Sequence, residues 1–215
     1  MFFVNTTIIR QNKIAKILGC SIGSFPRIYL GLPLETNALD SFWDGLIKKF
    51  NKKLSGWKGN LLSQARKIIL LKACLQSTPT YSLSLFKILV KFAKTIDKIQ
   101  RNFLWFSTEE KKRMALIAWD QVCKPINDGD LGIRSVCSMN KALLAKKGWR
   151  VYHDDKEWST IWKHKYLFNA PSLFNFLSYP NVLSPSTIWG AVQGAKNTLS
   201  KRCSWKIGNR LKVKF

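Results

Sequence analysis

Along most of this chain apolar residues recur three and four positions apart, the spacing of one face of an α-helix. Leu39, Phe42, Trp43, Leu46, Ile47, Phe50 and Leu54 predict a helix over 38–54, with Thr36 or Asn37 as its N-cap. Ile68, Leu71 and Leu75 predict a second over 63–76, which Ile69 and Leu70 widen into one buried on more than one side. Phe92, Ile96, Ile99 and Phe103 place a third over 90–106, with Phe103, Trp105 and Phe106 in the core. Ala142, Leu143, Ala145 and Trp149 mark a helix over 138–152, and Ile188, Trp189, Val192 and Leu199 another over 186–201.

Other stretches break that period. Within Val4–Ile22 a short strand and then a helix are expected, closed by Gly19 in a left-handed cap. Residues 27–33, broken by Gly31 and Pro33, predict a tight hairpin or edge strand. Residues 114–119 and Gly132–Ile133, either side of Asn127-Asp128-Gly129-Asp130, predict a small strand pair. From Tyr166 to Ala195 there is no charged residue, and Pro171, Pro180 and Pro185 suggest a packed, irregular connection. Cys203–Asn209 reads as a strand and turn. The fold class is therefore mainly α: a helical bundle with short β-hairpins, then a smaller α-rich region.

Charge adds a partner to this picture. The 215 residues hold 36 Lys and Arg against 12 Asp and Glu, a net +24. Between Lys48 and Arg113 there are 16 Lys or Arg against Asp97, Glu109 and Glu110, a net +13. A phosphate backbone or an anionic membrane would meet such a surface, and nucleic acid is the stronger of the two. Arg66, Lys67, Lys72, Lys94, Lys98 and Arg101 fall on the outward sides of the predicted helices and are the candidate phosphate contacts. At 46% hydrophobic and 13% aromatic the chain has enough apolar surface to fold despite its charge. Five cysteines without a CxxC pair predict reduced, buried thiols, and neither His153 nor His164 stands at metal-ligand spacing from one. No run of 18 apolar residues is present, so no transmembrane segment is expected, and MFFVNTTIIR lacks the basic lead of a signal peptide.

FPRIYLGLPL at 25–34, FWDGLIKKFNKKLSGWKGNLLSQARKIILLKACLQSTPTYSLSLF from Phe42, FLW at 103–105 and IAWDQVCKPINDGDLGIRSVCSMNKALLAKKGWR from Ile117 carry a resemblance. In order and spacing they resemble the region that follows the catalytic palm in reverse transcriptases of plant non-LTR, or LINE-type, retrotransposons, over nearly the whole chain. The resemblance implies that Tyr29, Leu30 and Gly31 sit in a primer-grip hairpin and that the helices after it form a thumb-like bundle holding an RNA or RNA–DNA duplex. It divides the chain into a palm-end remnant at 1–34, the basic bundle at 35–113 and a connection region at 114–215. It also implies a palm encoded upstream, which this chain lacks, and a divalent metal only in a full-length relative. There are departures from the family pattern. Ala65 precedes Arg66 where a glycine is usual, Asp130 replaces one of a glycine pair, and Ile88 and Leu89 replace a proline, so a continuous or bent helix is expected in place of a break.

Polymerase chemistry needs paired aspartates to hold two divalent ions. The adjacent acids, Glu109-Glu110 in a lysine-flanked loop and Asp154-Asp155 after a helix, are surface charges, and there is neither a Ser/His/Asp constellation nor a phosphate-cradling glycine loop. No independent catalysis, cofactor or small-molecule substrate is expected. Two alternatives to a truncated nucleic-acid-holding module stand beside it: a degenerate retroelement product with no selected function, and a free-standing basic protein that binds nucleic acid or an anionic membrane. Against the membrane, the cations alternate with core positions on several helices instead of lining one.

Overall fold

The computed structural model describes residues 6–23, 28–33, 39–57, 62–105, 115–128, 131–167, 173–178 and 186–202. It is mainly α, with a single two-stranded antiparallel hairpin among the described residues. Packing divides the chain into two units, 1–49 and 50–215. The sequence reading places its boundaries after residues 34 and 113. Thr36, Asn37, Phe106, Glu109-Glu110, Asp130, Pro171, Pro180, Pro185 and Cys203–Asn209 lie outside the described residues.

In the first unit α1 (Ile8–Leu18) ends at Gly19, which takes φ 61° and ψ 25°, and Cys20 N donates to Ala15 O at 3.0 Å. Ile8 and Ile9 already belong to the helix, so the short strand expected ahead of it is not formed among the described residues. β1 (Ile28–Tyr29) pairs with β2 (Leu32–Pro33) in the register Ile28↔Pro33 and Tyr29↔Leu32. The two turn residues, Leu30 at φ 50° and Gly31 at φ 79°, are both left-handed, as a two-residue turn matched to strand twist requires. Gly31 enters that region freely, whereas Leu30 is held there at a cost of about 1–2 kcal/mol. α2 (Leu39–Ser55) follows its predicted range closely and buries Trp43, Leu46 and Phe50; the line between the units falls inside it.

The second unit begins with α3 (Gln64–Leu70), N-capped by Ser63, whose hydroxyl accepts from Arg66 N. α3 runs into a π-helical turn, Leu71–Leu75, closed by Gln76 N on Leu71 O at 2.9 Å. The hydroxyls of Ser77, Thr78 and Thr80 then donate to carbonyls one turn back and end the helix. The buried row is Lys67, Leu71 and Leu75, while Ile69 is 64% exposed. The helix is thus buried along one stripe, not on several sides, because Lys67 occupies the position assigned by sequence to an isoleucine.

After α4 (Thr80–Leu83) the chain leaves the helix and re-enters it at α5 (Val90–Trp105). A continuous or bent helix was the expectation here, and the reason for the break is a residue far along the chain. Asn140 of α7 (Val136–His153) is buried, donates to Leu83 O at 2.7 Å and Phe86 O at 2.9 Å, and accepts from Ile88 N at 3.1 Å. Its amide supplies the bonds that an unbroken helix would have made.

The core row of α5 is Phe92, Ile96, Gln100 and Leu104, with Ala93 beside it; Phe103 and Trp105 are half-buried. Gln100 is fully buried, and neither Nε2 nor Oε1 has a hydrogen-bond partner. Burying an unbonded amide opposes folding, so Gln100→Met is expected to raise stability by about 1 kcal/mol, seen as a higher midpoint in urea with an unchanged slope. A lower midpoint would show that the amide is satisfied.

α6 (Trp119–Val122) and a 3-10 turn (Ile126–Asp128) occupy the region where a strand pair was expected. Residues 115–118 and Gly132–Ile133 form no ladder. Gly132, at φ 62°, donates its N–H to Lys124 O at 3.2 Å and faces Ile126 so closely that a Cβ would stand 2.7 Å from Ile126 Cγ1. The segment closes on itself as a loop, leaving no edge to pair.

α7 packs against α4, α5, α8 (Glu157–Tyr166), α10 (Thr187–Gln193) and α11 (Lys196–Arg202). At Gly148 a Cβ would lie 3.1 Å from Val192 Cγ1 and 3.2 Å from Leu199 Cδ1, so glycine permits this approach. Around the contact Leu144, Val151, Leu167, Phe176, Trp189, Val192 and Leu199 form a buried cluster. The region expected to be irregular contains α9 (Leu173–Ser178) and α10, and the helix expected over 186–201 turns at Gly194–Ala195 into α11. Cys74, Cys123 and Cys137 are free and half-buried and Cys20 is exposed, so the expectation of buried thiols holds only in part. Burial, with the charges of Asp97 and Asp120, pushes the Cys123 thiol up to about 12.

Candidate nucleic-acid interface

The α5 sequence places its cations opposite its core row. At 100° per residue, Lys91, Lys94, Lys98 and Arg101 share an arc of roughly 80°, and they climb about 15 Å along the axis. Lys91, Lys94 and Lys98 are exposed and Arg101 half-buried. The acid on this helix that could neutralise them is engaged elsewhere. Asp97 accepts from Val136 N at 3.2 Å and from Ser135 Oγ at 3.3 Å, capping the N-terminus of α7, where Ser135 makes no side-chain cap of its own. Burial raises its carboxyl above the ordinary range, against the lowering effect of these hydrogen bonds; the nearby Asp120 raises it further. Among the described residues no carboxylate pairs with Lys94, Lys98 or Arg101.

On α3 and the π turn the three candidates separate. Arg66 is exposed and Lys72 half-buried, and neither has an acid partner among the described residues. Lys67 is 1% exposed. Its ammonium donates to Phe103 O at 3.1 Å and lies 5.4 Å from the centre of the Phe103 ring. Phe103 belongs to the last turn of α5, which contains no basic residue of its own. Lys67 therefore supplies the cation and donor that the C-terminus of α5 lacks, and joins α3 to α5. It is not placed to reach a phosphate, and it drops out of the candidate interface.

Tyr29, Leu30 and Gly31 form the exposed tip of the hairpin in the first unit, above the buried Leu32 and Pro33. A leucine held left-handed and solvent-exposed at a turn tip is the kind of local strain found at functional positions. Asp154 of the second acidic pair is bonded to Arg150 at 2.8 Å. Among the described residues no group of three His, Cys, Asp or Glu could hold a metal ion, and no helix is long and apolar enough to cross a membrane. Sequence reasoning did not single out α8, whose Trp158 and Trp162 stand beside Lys147 and Arg150; the i, i+4 pairing of the two tryptophans was the available signal.

No family model matches the chain. At 32% identity over 178 residues it is similar to the "Putative ribonuclease H protein" of Arabidopsis thaliana, in a match that takes in 82% of this chain and 28% of that protein. At 27% identity over 138 residues it is similar to the "Uncharacterized mitochondrial protein" of Arabidopsis thaliana, across 63% of this chain and 87% of that one. The chain thus spans little more than a quarter of the first relative's length and most of the second's, and by both matches it is similar to plant proteins, one of which is named for a nuclease.

Proposed function

We propose that this chain is a nucleic-acid-holding part of a LINE-type plant retroelement reverse transcriptase, gripping an RNA or RNA–DNA duplex by its phosphates. The observation that carries the reading is the α5 face, where Lys94, Lys98 and Arg101 stand without acid partners among the described residues while Asp97 is turned away to cap α7. Arg66 and Lys72 add two more cations. About 15 Å along a duplex axis passes roughly four phosphates of one strand, which suits a row of this length. The relative named as a ribonuclease H protein is a fitting neighbour for such a module, and the strained tip at Leu30 suits a primer-grip role for Tyr29, Leu30 and Gly31.

The test is fluorescence anisotropy of duplex binding across a salt series. Five phosphate contacts would give a log–log slope of about −4 to −5, without base preference. Lys94→Ala/Lys98→Ala/Arg101→Ala is expected to flatten that slope by about 2–3 on every duplex alike. Lys67→Ala is expected to lower stability and leave the slope of the folded protein unchanged. A salt-independent affinity, or an unaltered slope in the triple variant, would overturn the reading.

A further inference from the structure

Beyond the α5 face, the second unit has a cavity of about 450 Å³ between α7 and α8, lined by Ser84, Lys146, Lys147, Arg150, Trp158 and Trp162 together with Leu143. That volume lies in the range of small-ligand sites. Three cations and two indoles line it, and among the described residues no carboxylate does. We propose that this cavity is a subsite for one unstacked nucleotide of a single strand, its base on Trp158 and its phosphate held by Lys146, Lys147 and the outer edge of Arg150. This rests on the nucleic-acid reading above and adds a ligand form to it.

The site is preorganised by its own packing. Trp158 and Trp162 meet edge to face with ring centres 5.7 Å apart, and Trp162 is backed in turn by Trp189 at 5.4 Å. Lys147 lies 5.4 Å from the centre of the Trp162 ring and Arg150 lies 5.8 Å from that of Trp158. Arg150 Nε and Nη2 both bond Asp154 Oδ2, at 2.9 and 2.8 Å, which fixes the guanidinium and leaves further N–H donors to spare. Lys147 is in the opposite position: burial first, and then the charge of Arg150, bring its ammonium down to about 8, so an anion is what its surroundings lack. A small carboxylate would satisfy the lysines and leave the indole face idle, and an apolar ligand would leave the cations unpaired. A nucleotide uses both.

The experiment compares the full chain on a blunt RNA–DNA duplex, the same duplex with a short thymidine overhang, and one whose overhang carries sugars and phosphates without bases. The thymidine overhang is expected to tighten binding roughly tenfold, the abasic one far less. Trp158→Ala should erase the gain while leaving affinity for the blunt duplex unchanged, and Trp158→Phe should restore part of it. Equal binding of the thymidine and abasic overhangs, or a gain that survives in Trp158→Ala, overturns the proposal. If Trp158→Ala does not fold, the abasic comparison on the natural chain decides alone. Failure of the blunt duplex to bind would sink the α5 reading by itself. In that event the thymidine strand alone tests the pocket: binding that exceeds that of the abasic strand upholds it, and the absence of binding ends it.

Discussion

Replacing Asn140 by Ala is expected to destabilise the second unit by about 3–5 kcal/mol, a third or more of the stability of an ordinary domain. The side chain contributes little apolar area; its weight comes from the three backbone groups it satisfies, Leu83 O, Phe86 O and Ile88 N. All three bonds are buried, and removing the amide leaves each group unpaired at about 1–3 kcal/mol before any relaxation or water entry. Urea denaturation of the two proteins measures the difference, and a loss below about 1 kcal/mol would show that the link between α4 and α5 holds itself. Asn140→Asp is a sharper probe of the same geometry. At neutral pH its carboxylate turns an acceptor toward two carbonyls and should cost as much as alanine does. Protonation restores a donor, so its stability should recover as the pH falls.

Asn140 also marks the limit of what could be read along the chain. The helices at 39–55, 90–105 and 136–153 were legible because each is an apolar stripe repeating at three and four, and that pattern is local. Gly19 was legible as a cap for the same reason. The bonds that hold the break at 84–89 were not, because the group that makes them lies more than 50 residues away and nothing in TYSLSLFKILV announces it. Lys67 was misplaced by the same blindness. A lysine on the polar side of a stripe looks identical whether it meets water or the carbonyl of Phe103, and only the packing of α3 on α5 distinguishes the two. The apolar residues of α9 were visible, but the serine and asparagine around them masked a helix of fewer than two turns, whereas α10 lies inside the helix read over 186–201.

The candidate interface was legible as charge and not as geometry. Counting cations along 48–113 finds Arg66, Lys72, Lys94, Lys98 and Arg101, but their availability depends on where Asp97 points, and that is set by α7. One carboxylate therefore serves two ends: it caps α7 and, by leaving the α5 surface, leaves Lys94, Lys98 and Arg101 without a carboxylate partner among the described residues. Asn140 and Gly148, through which α7 meets the link between α4 and α5 and the helices α10 and α11, are among the least conspicuous residues in the sequence.

The other large effect is expected at Trp189, where Ala should lower stability by about 3–5 kcal/mol. Its ring is 1% exposed, stacked on Tyr166 at 4.8 Å and 6°, and flanked by Trp162 at 5.4 Å and Phe176 at 5.7 Å. Truncation would leave a void among large, mutually wedged rings, which cannot collapse into it cheaply. Phenylalanine should cost far less, about 1 kcal/mol, because Trp189 Nε1 is buried without a partner and its removal offsets part of the lost contact. Urea midpoints at constant slope measure both variants, with near-ultraviolet circular dichroism reporting the aromatic cluster. Trp162 leans on Trp189, so the alanine variant should also loosen the wall of the α7–α8 cavity and reduce the thymidine-overhang gain even under conditions where the protein remains folded. An alanine variant within about 1 kcal/mol of the natural chain would mean that the cluster repacks, and the preorganisation inferred for the cavity would fall with it.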